Sequence, residues 1–259
     1  MRLRLGFVRT SRWVLPALFA VVLFMVVPFV VVRGALAQNT NGIFITPAAD
    51  APFTGSIEVE RSEVRPDGSV VQLKTVRDVA RDSRGRIYNV FRALVPANSG
   101  DVIPVERIHF YDPETRGYTY LYPQQHAYVT GIVNHPPAAE PADLVASSTG
   151  RGAPLNQFTK EEDLGMRQMA GVSAHGVREV QTIPAADGSA GKDVVLTDEY
   201  WYSEDLHMNV KVSHNDPRTG SVTMALTKAT RAYPDPSLFQ IPDGYHPMSP
   251  RQEGQSASR

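Results

Sequence analysis

The sequence contains no cysteine. That removes disulfides, thiolate metal sites and cysteine nucleophiles together. A domain without such staples must stand on its apolar core. Two tryptophans in 259 residues make large aromatic anchors scarce, and hardly any stretch reads as a helix longer than two turns. The one long apolar run, Trp13 to Val32, lies at the N-terminus. No His-Glu-x-x-His or comparable ligand spacing occurs among His109, His126, His135, His175, His207, His214 and His246. No cofactor motif is present.

That apolar run follows a basic start with Arg2, Arg4, Arg9 and Arg12, and leads into Arg33-Gly34 and Ala35-Leu36-Ala37-Gln38. A basic segment, an apolar segment and an A-x-A site form a bacterial secretory signal, with cleavage between Ala37 and Gln38. The apolar run is also long enough to span a bilayer, so an uncleaved N-terminal anchor is the alternative. No Cys follows for lipidation. Removing residues 1–37 takes five arginines and no acid, so 26 basic residues fall to 21 against 27 acidic ones. An acidic balance disfavours nucleic acid and strongly anionic membrane surfaces as partners. The expected location is periplasmic or secreted, with membrane contact only through residues 13–32 if they remain attached.

What is present is strand patterning. Leu206, Met208, Val210 and Val212 alternate with His207, Asn209, Lys211 and Ser213, the period of a strand with one buried face. Asp216–Gly220 (DPRTG) is turn chemistry, and Val222, Met224 and Leu226 alternate again. This predicts an antiparallel hairpin. Upstream, Gly55–Arg65 and Ser69–Asp82 flank Asp67-Gly68, a strong hairpin turn, and Arg86–Leu94 completes a meander. Val70-Val71 and Val79-Ala80 break the alternation and indicate a bulge. Val105–Tyr111, Tyr118–Tyr122 and His126–Val133 are further strands separated by turns. Glu162–Thr182 reads as two strands around Gly171 to Gly176, and Asp193–Tyr202 as another. Asp235 caps a helical turn with Pro236 at its first position.

About ten strands spaced by turn residues predict a mostly β fold: one antiparallel, strongly curved sheet or half-open barrel with very little helix. The expected organisation is a signal or anchor at 1–37, a flexible segment at 38–54, a β domain at 55–245 and a disordered tail at 246–259. A mobile Pro/Ala-rich loop at 134–156 interrupts the domain.

Each catalytic pattern is incomplete. Gly171-Val172-Ser173-Ala174-His175 starts like a nucleophile elbow, but that motif needs Gly at His175 and a strand-to-helix turn. Asp112–Gly117 lacks the oxygen ligands of a calcium loop at Arg116 and beyond. Glu199 and Asp205 near Trp201 resemble a glycosidase pair only by residue type. His109 and His207 could meet across strands. The aromatic stripes are more informative. Tyr118, Tyr120 and Tyr122 share one strand face, and Tyr200 and Tyr202 share another with Trp201 opposite. Such stripes serve as core or cross-strand pairs, or line a groove for an acyl chain, peptide or glycan. These six residues are the candidate ligand contacts.

Taken in order, RDSRGR (Arg81–Arg86), DPxTxGYTYLY in the Ile108–Tyr122 hairpin, EDLGMRQMAGVSAHGVREVQTIP (Glu162–Pro184), EYWYSEDL (Glu199–Leu206), DPRTG and YPDPSLFQIPDGY (Tyr233–Tyr245) resemble a family of uncharacterised secreted bacterial β proteins. The last motif is also similar to the ending of lipoprotein-carrier (LolA/LolB-like) domains. That resemblance implies a half-open antiparallel barrel with short helices over an apolar cavity. This chain lacks amphipathic helices long enough to cap one. The leading functional expectation is a non-enzymatic extracytoplasmic binding or carrier module for an apolar or amphipathic ligand (lipid, lipoprotein or peptide). The alternatives are an envelope structural or sensor protein pairing with another protein, and a hydrolase without a recognisable motif.

Overall fold

The computed structural model describes residues 42–134, 158–185 and 191–248. The expected signal or anchor, nearly all of the 134–156 loop and most of the C-terminal tail lie outside the described residues. Thirteen strands form one large, curved, open sheet. They are β1 (Phe53–Val64), β2 (Val70–Arg81), β3 (Ile87–Arg92), β4 (Val95–Pro96), β5 (Val105–Asp112), β6 (Gly117–Tyr122), β7 (Ala127–Ile132), β8 (Thr159–Met169), β9 (Val172–Ile183), β10 (Val194–Ser203), β11 (Met208–Asp216), β12 (Gly220–Thr230) and β13 (His246–Pro247). Two short 3-10 turns, Pro123–Gln125 and Pro236–Phe239, are the helical elements among the described residues. At the second, Asp235 accepts a hydrogen bond from the Ser237 backbone N–H, as its sequence predicts.

The order across the sheet is β13-β7-β6-β5-β3-β2-β1-β12-β11-β10-β9-β8, with β4 beside β2. Two meanders therefore run outward from the centre. They are joined where β1 pairs with β12, from Thr54 opposite Thr230 to Glu63 opposite Gly220. All pairings are antiparallel except β13 with β7. The open, curved, mostly β architecture is the expected one.

The β11–β12 hairpin forms as its alternation dictates, with Lys211 opposite Ala225 and Asp216 opposite Gly220. Leu206, Met208, Val210 and Val212 are all at most 2 % exposed. The strand itself starts at Met208; His207 occupies the preceding turn in a left-handed conformation. The core gathers Phe53, Ile57, Val79, Tyr200, Val210, Val212 and Leu226, with Ile43 and Ile45 laid over it.

Two expectations give way here. The bulge read from Val70-Val71 and Val79-Ala80 is absent: β1 and β2 pair without a shift from Phe53–Arg81 to Val64–Val70. Val79 and Ala80 are adjacent apolar residues because both faces of the sheet are covered there, and each is 2 % exposed. A bulge does occur across the partner strand, at Ser56/Ile57 against β12. The stretch expected to be a flexible lead-in is packed from residue 43 onward. Ile43, Ile45, Ala51 and Phe53 are buried, and Phe53 already belongs to β1. Arg81 explains why. Its Nε donates to the Ala51 carbonyl (2.8 Å), Nη1 to that of Thr46 (2.7 Å) and Nη2 to that of Leu206 (2.8 Å). A fully buried guanidinium thus ties the N-terminal segment to the β10–β11 turn. Burial pulls its pKa down to about 10. The paired-strand reading of Glu162–Thr182 holds, but the turn is tighter: Ala170-Gly171 turn the chain, and Gly176 lies within β9.

Candidate functional site

Register decides which side chains share a face. Leu226 stands opposite Ile57 and Met224 opposite Val59. Val59 stands opposite Thr75 and Ile57 opposite Arg77. On the next strands Phe91 stands opposite Arg107, and His109 opposite both Asn89 and Tyr120. Six neighbouring strands thus present one face, and that face lines a cavity of about 1030 Å³. Val59, Phe91, Leu94, Val222 and Met224 supply its apolar lining, and Tyr122 stands at one side. A smaller recess of about 440 Å³ shares Arg61, Arg77, Val222 and Met224 with it, and is also lined by Gly42, Ile43 and Phe44.

The charged lining is mostly basic. Arg61, Arg77, Arg92 and Arg107 enter the larger cavity against a single acid, Glu106. Arg61 pairs with Glu63 (2.9 Å) and Arg92 with Asp78 (2.6 Å). Arg77 and Arg107 instead lie against aromatic rings. The Arg77 guanidinium carbon is 5.1 Å from the Phe91 centroid, and that of Arg107 is 4.8 Å from both Phe91 and Tyr120. The Arg107 Nε is buried with no hydrogen-bond acceptor among the described residues. Burial, and then the charge of Arg107, hold Arg77 below the usual guanidinium range. His109 stacks on Tyr120 at 4.7 Å. Burial, followed by the Arg107 charge, pushes its pKa down to about 4, so its ring is neutral at neutral pH.

The six aromatics chosen from sequence divide. Tyr118, Tyr120 and Tyr122 lie half-buried on one face of β6; of the three, Tyr122 lines the cavity, and Tyr118 rests against Tyr120 (5.4 Å). Tyr200, Trp201 and Tyr202 are core residues, 7 %, 1 % and 8 % exposed. The Trp201 indole lies over Gly176 and under Arg167. Its Nε1–H donates to Glu199 (2.6 Å), which also receives Lys211 (3.1 Å) and Arg178 (3.3 Å). Burial raises the Glu199 pKa, but the hydrogen bonds from Trp201 and Lys211 outweigh it and hold the carboxyl below its ordinary value. A carboxylate saturated by three donors is placed to fix a tryptophan, not to exchange protons.

His175 meets Asp163 across β8 and β9 (2.7 Å), and His214 meets Asp198 across β10 and β11 (2.7 Å). His109 and His207 belong to different parts of the sheet, β5 and the β10–β11 turn. Among the described residues no group of three or more His, Asp or Glu is arranged to hold a metal.

The sequence reading missed Arg61, Arg77, Arg107 and Phe91. One signal was available. Arg77 sits in the inward register of β2 between Thr75 and Val79, where a charge is costly unless it has a purpose.

No family model and no curated protein matches the chain. Solved structures do. The chain is similar to one in the Pseudomonas aeruginosa MucA/MucB complex, at 13 % identity over 80 % of this chain and 58 % of that one, with a TM-score of 0.37. It is similar to a LolA superfamily protein from Nitrosomonas europaea at 9 % identity over 80 % and 97 %, with a TM-score of 0.30. For LprF from Mycobacterium bovis the values are 15 %, 77 %, 92 % and 0.29. The chain spans about six tenths of the two Muc structures it matches, 58 % and 62 %. These are distant likenesses, and what the cavity takes follows from its own lining.

Proposed function

We propose that this chain is a non-enzymatic binding or carrier module, acting outside the cytoplasm, whose concave face takes an amphipathic or apolar ligand. The observation that carries this is the 1030 Å³ cavity with Val59, Phe91, Val222 and Met224 on one side of a continuous sheet. Its size is that of a small-molecule or lipid site. Burying ligand surface there contributes about 25 cal/mol per Å² of apolar area before association costs. The secretory signal in residues 1–37 supports a location beyond the inner membrane. Among the described residues no helix is long and apolar enough to cross a membrane.

The test uses the full chain and the neutral fluorescent probe N-phenyl-1-naphthylamine. Saturable binding with a blue-shifted emission is expected, and Met224→Trp, which fills the cavity, lowers it at least several-fold. Native mass spectrometry of protein taken from its own envelope should also show bound lipid. A folded chain that neither carries lipid nor binds the probe overturns the proposal.

Pairing through a sheet edge is the second reading, and β8 at the end of the sheet order favours it. Lys160, Glu161, Glu162, Asp163 and Arg167 load that strand with charge, however, and charged edges discourage strand addition.

A further inference from the structure

We infer that the cavity selects anionic amphiphiles, and that Arg77 and Arg107, set against Phe91, hold the ligand's oxyanion head. This rests on the cavity being the ligand site.

The geometry comes from three strands. Arg77 lies on β2, Phe91 on β3 and Arg107 on β5, in that order across the sheet. Phe91 contacts both guanidiniums (5.1 and 4.8 Å), and Tyr120 fixes Arg107 from β6 (4.8 Å). Ring contacts hold a guanidinium by its face and leave its N–H edge unused. A guanidinium edge matches carboxylate and phosphate with two parallel hydrogen bonds. Neither arginine has a carboxylate partner among the described residues, although Arg61 and Arg92 beside them do.

The energetics point the same way. The two cations stand close enough that Arg107 disfavours the charge on Arg77. Two like charges held together in a half-buried cavity are costly, and an anion between them reverses the sign of that interaction. Among the described residues the acid in the lining is Glu106, which is exposed. Val59, Leu94, Val222 and Met224 give the cavity an apolar wall as well, interspersed with Arg61, Thr75, Gln124 and Gln125. A head-and-tail ligand satisfies both regions. A free inorganic anion leaves the apolar walls wet, and a neutral lipid leaves the arginines unpaired.

The experiment displaces N-phenyl-1-naphthylamine from the full chain with four ligands of equal tail length: dodecanoate, dodecyl phosphate, dodecan-1-ol and dodecyltrimethylammonium, each below its micellar concentration. The two anions should displace the probe at concentrations about ten-fold or more below that of the alcohol, as for a charge-assisted hydrogen bond. The cation should be weakest. In the Arg77→Gln/Arg107→Gln variant the anions should fall to the level of the alcohol while alcohol displacement is kept, which also shows that the cavity is folded. Equal displacement by anion and alcohol in the wild-type chain overturns the headgroup assignment and leaves the carrier reading standing. Inorganic phosphate competing as well as dodecyl phosphate overturns the amphiphile. A wild-type chain that binds none of these ligands overturns both readings.

Discussion

Gly176 lies directly beneath the indole of Trp201, so close that a Cβ at Gly176 would stand 2.7 Å from the ring. The two residues face each other across β9 and β10, and the glycine makes room for the tryptophan. Trp201→Ala therefore removes a core side chain and should cost about 3–5 kcal/mol. Gly176→Ala overpacks the same site and should cost about 1–3 kcal/mol. Urea denaturation measures both. Probe binding by the folded fraction should be unchanged in each, because the indole is 1 % exposed. Lost binding at an unchanged urea midpoint would put Trp201 back among the ligand contacts.

Arg81 makes a separate prediction. It satisfies three carbonyls lying 30, 35 and 125 residues away in sequence. Arg81→Met keeps the length of the stem but orphans those acceptors, which should destabilise the protein by about 2 kcal/mol or more. The Thr46 and Ala51 attachments go with it. Amide exchange in residues 43–52 should then rise before exchange in β10 or β11. Uniform exchange rates in wild type and variant would show that the segment is held by Ile43 and Ile45 alone.

His214 gives the alkaline side of the stability profile. The hydrogen bond it makes to the Asp198 carboxylate raises its pKa above 6.5, against a smaller effect of burial, and the Asp198 and Asp216 charges add to the rise. A histidine whose folded pKa is raised stabilises the fold while charged. That contribution is fully present below the unfolded value and is lost as pH rises through the folded one. Stability should fall as pH climbs above about 6.5 and through the raised folded value, and His214→Gln should flatten that limb. An unchanged slope in the variant would assign the loss elsewhere.

His109 gives an acid-side contribution of the opposite sign. Its pKa is pushed down to about 4 by burial first and Arg107 second. The unfolded chain binds a proton that the folded chain refuses between pH 6.5 and about 4, so stability falls as pH drops through that window. His109→Gln should remove part of that loss. In NMR titration the His109 ring should still be neutral at pH 5.5; a ring already charged there would contradict the burial argument.

Much of the sheet was legible because its strands alternate, and alternation survives wherever one face is buried. Leu206 to Val212 is the clearest case. Where both faces are covered, as at Val79-Ala80, the pattern lost its period and was misread as a bulge. The N-terminal lead-in was misread because Ile43 and Ile45 are isolated apolar residues; their partners, Arg81 above all, are contributed by distant strands. The aromatics were found by spacing, but spacing does not tell a lined cavity from a core. Trp201 went to the core because Gly176 receives it, while Tyr118, Tyr120 and Tyr122 kept part of their surface. The Arg77–Phe91–Arg107 group was invisible as a unit, since its members come together only through the register of β2, β3 and β5.

The pairing of β1 with β12 also sets an order of events. Thr54 cannot meet Thr230 until nearly the whole chain is available, and contacts of such separation are formed late and slowly. Until then β1 is an edge of the first meander, and Ile57 and Val59 lack the cover of Leu226 and Met224. The apolar floor of the cavity is therefore assembled by the last long strand of the chain, so a nascent or truncated chain has no finished cavity to fill.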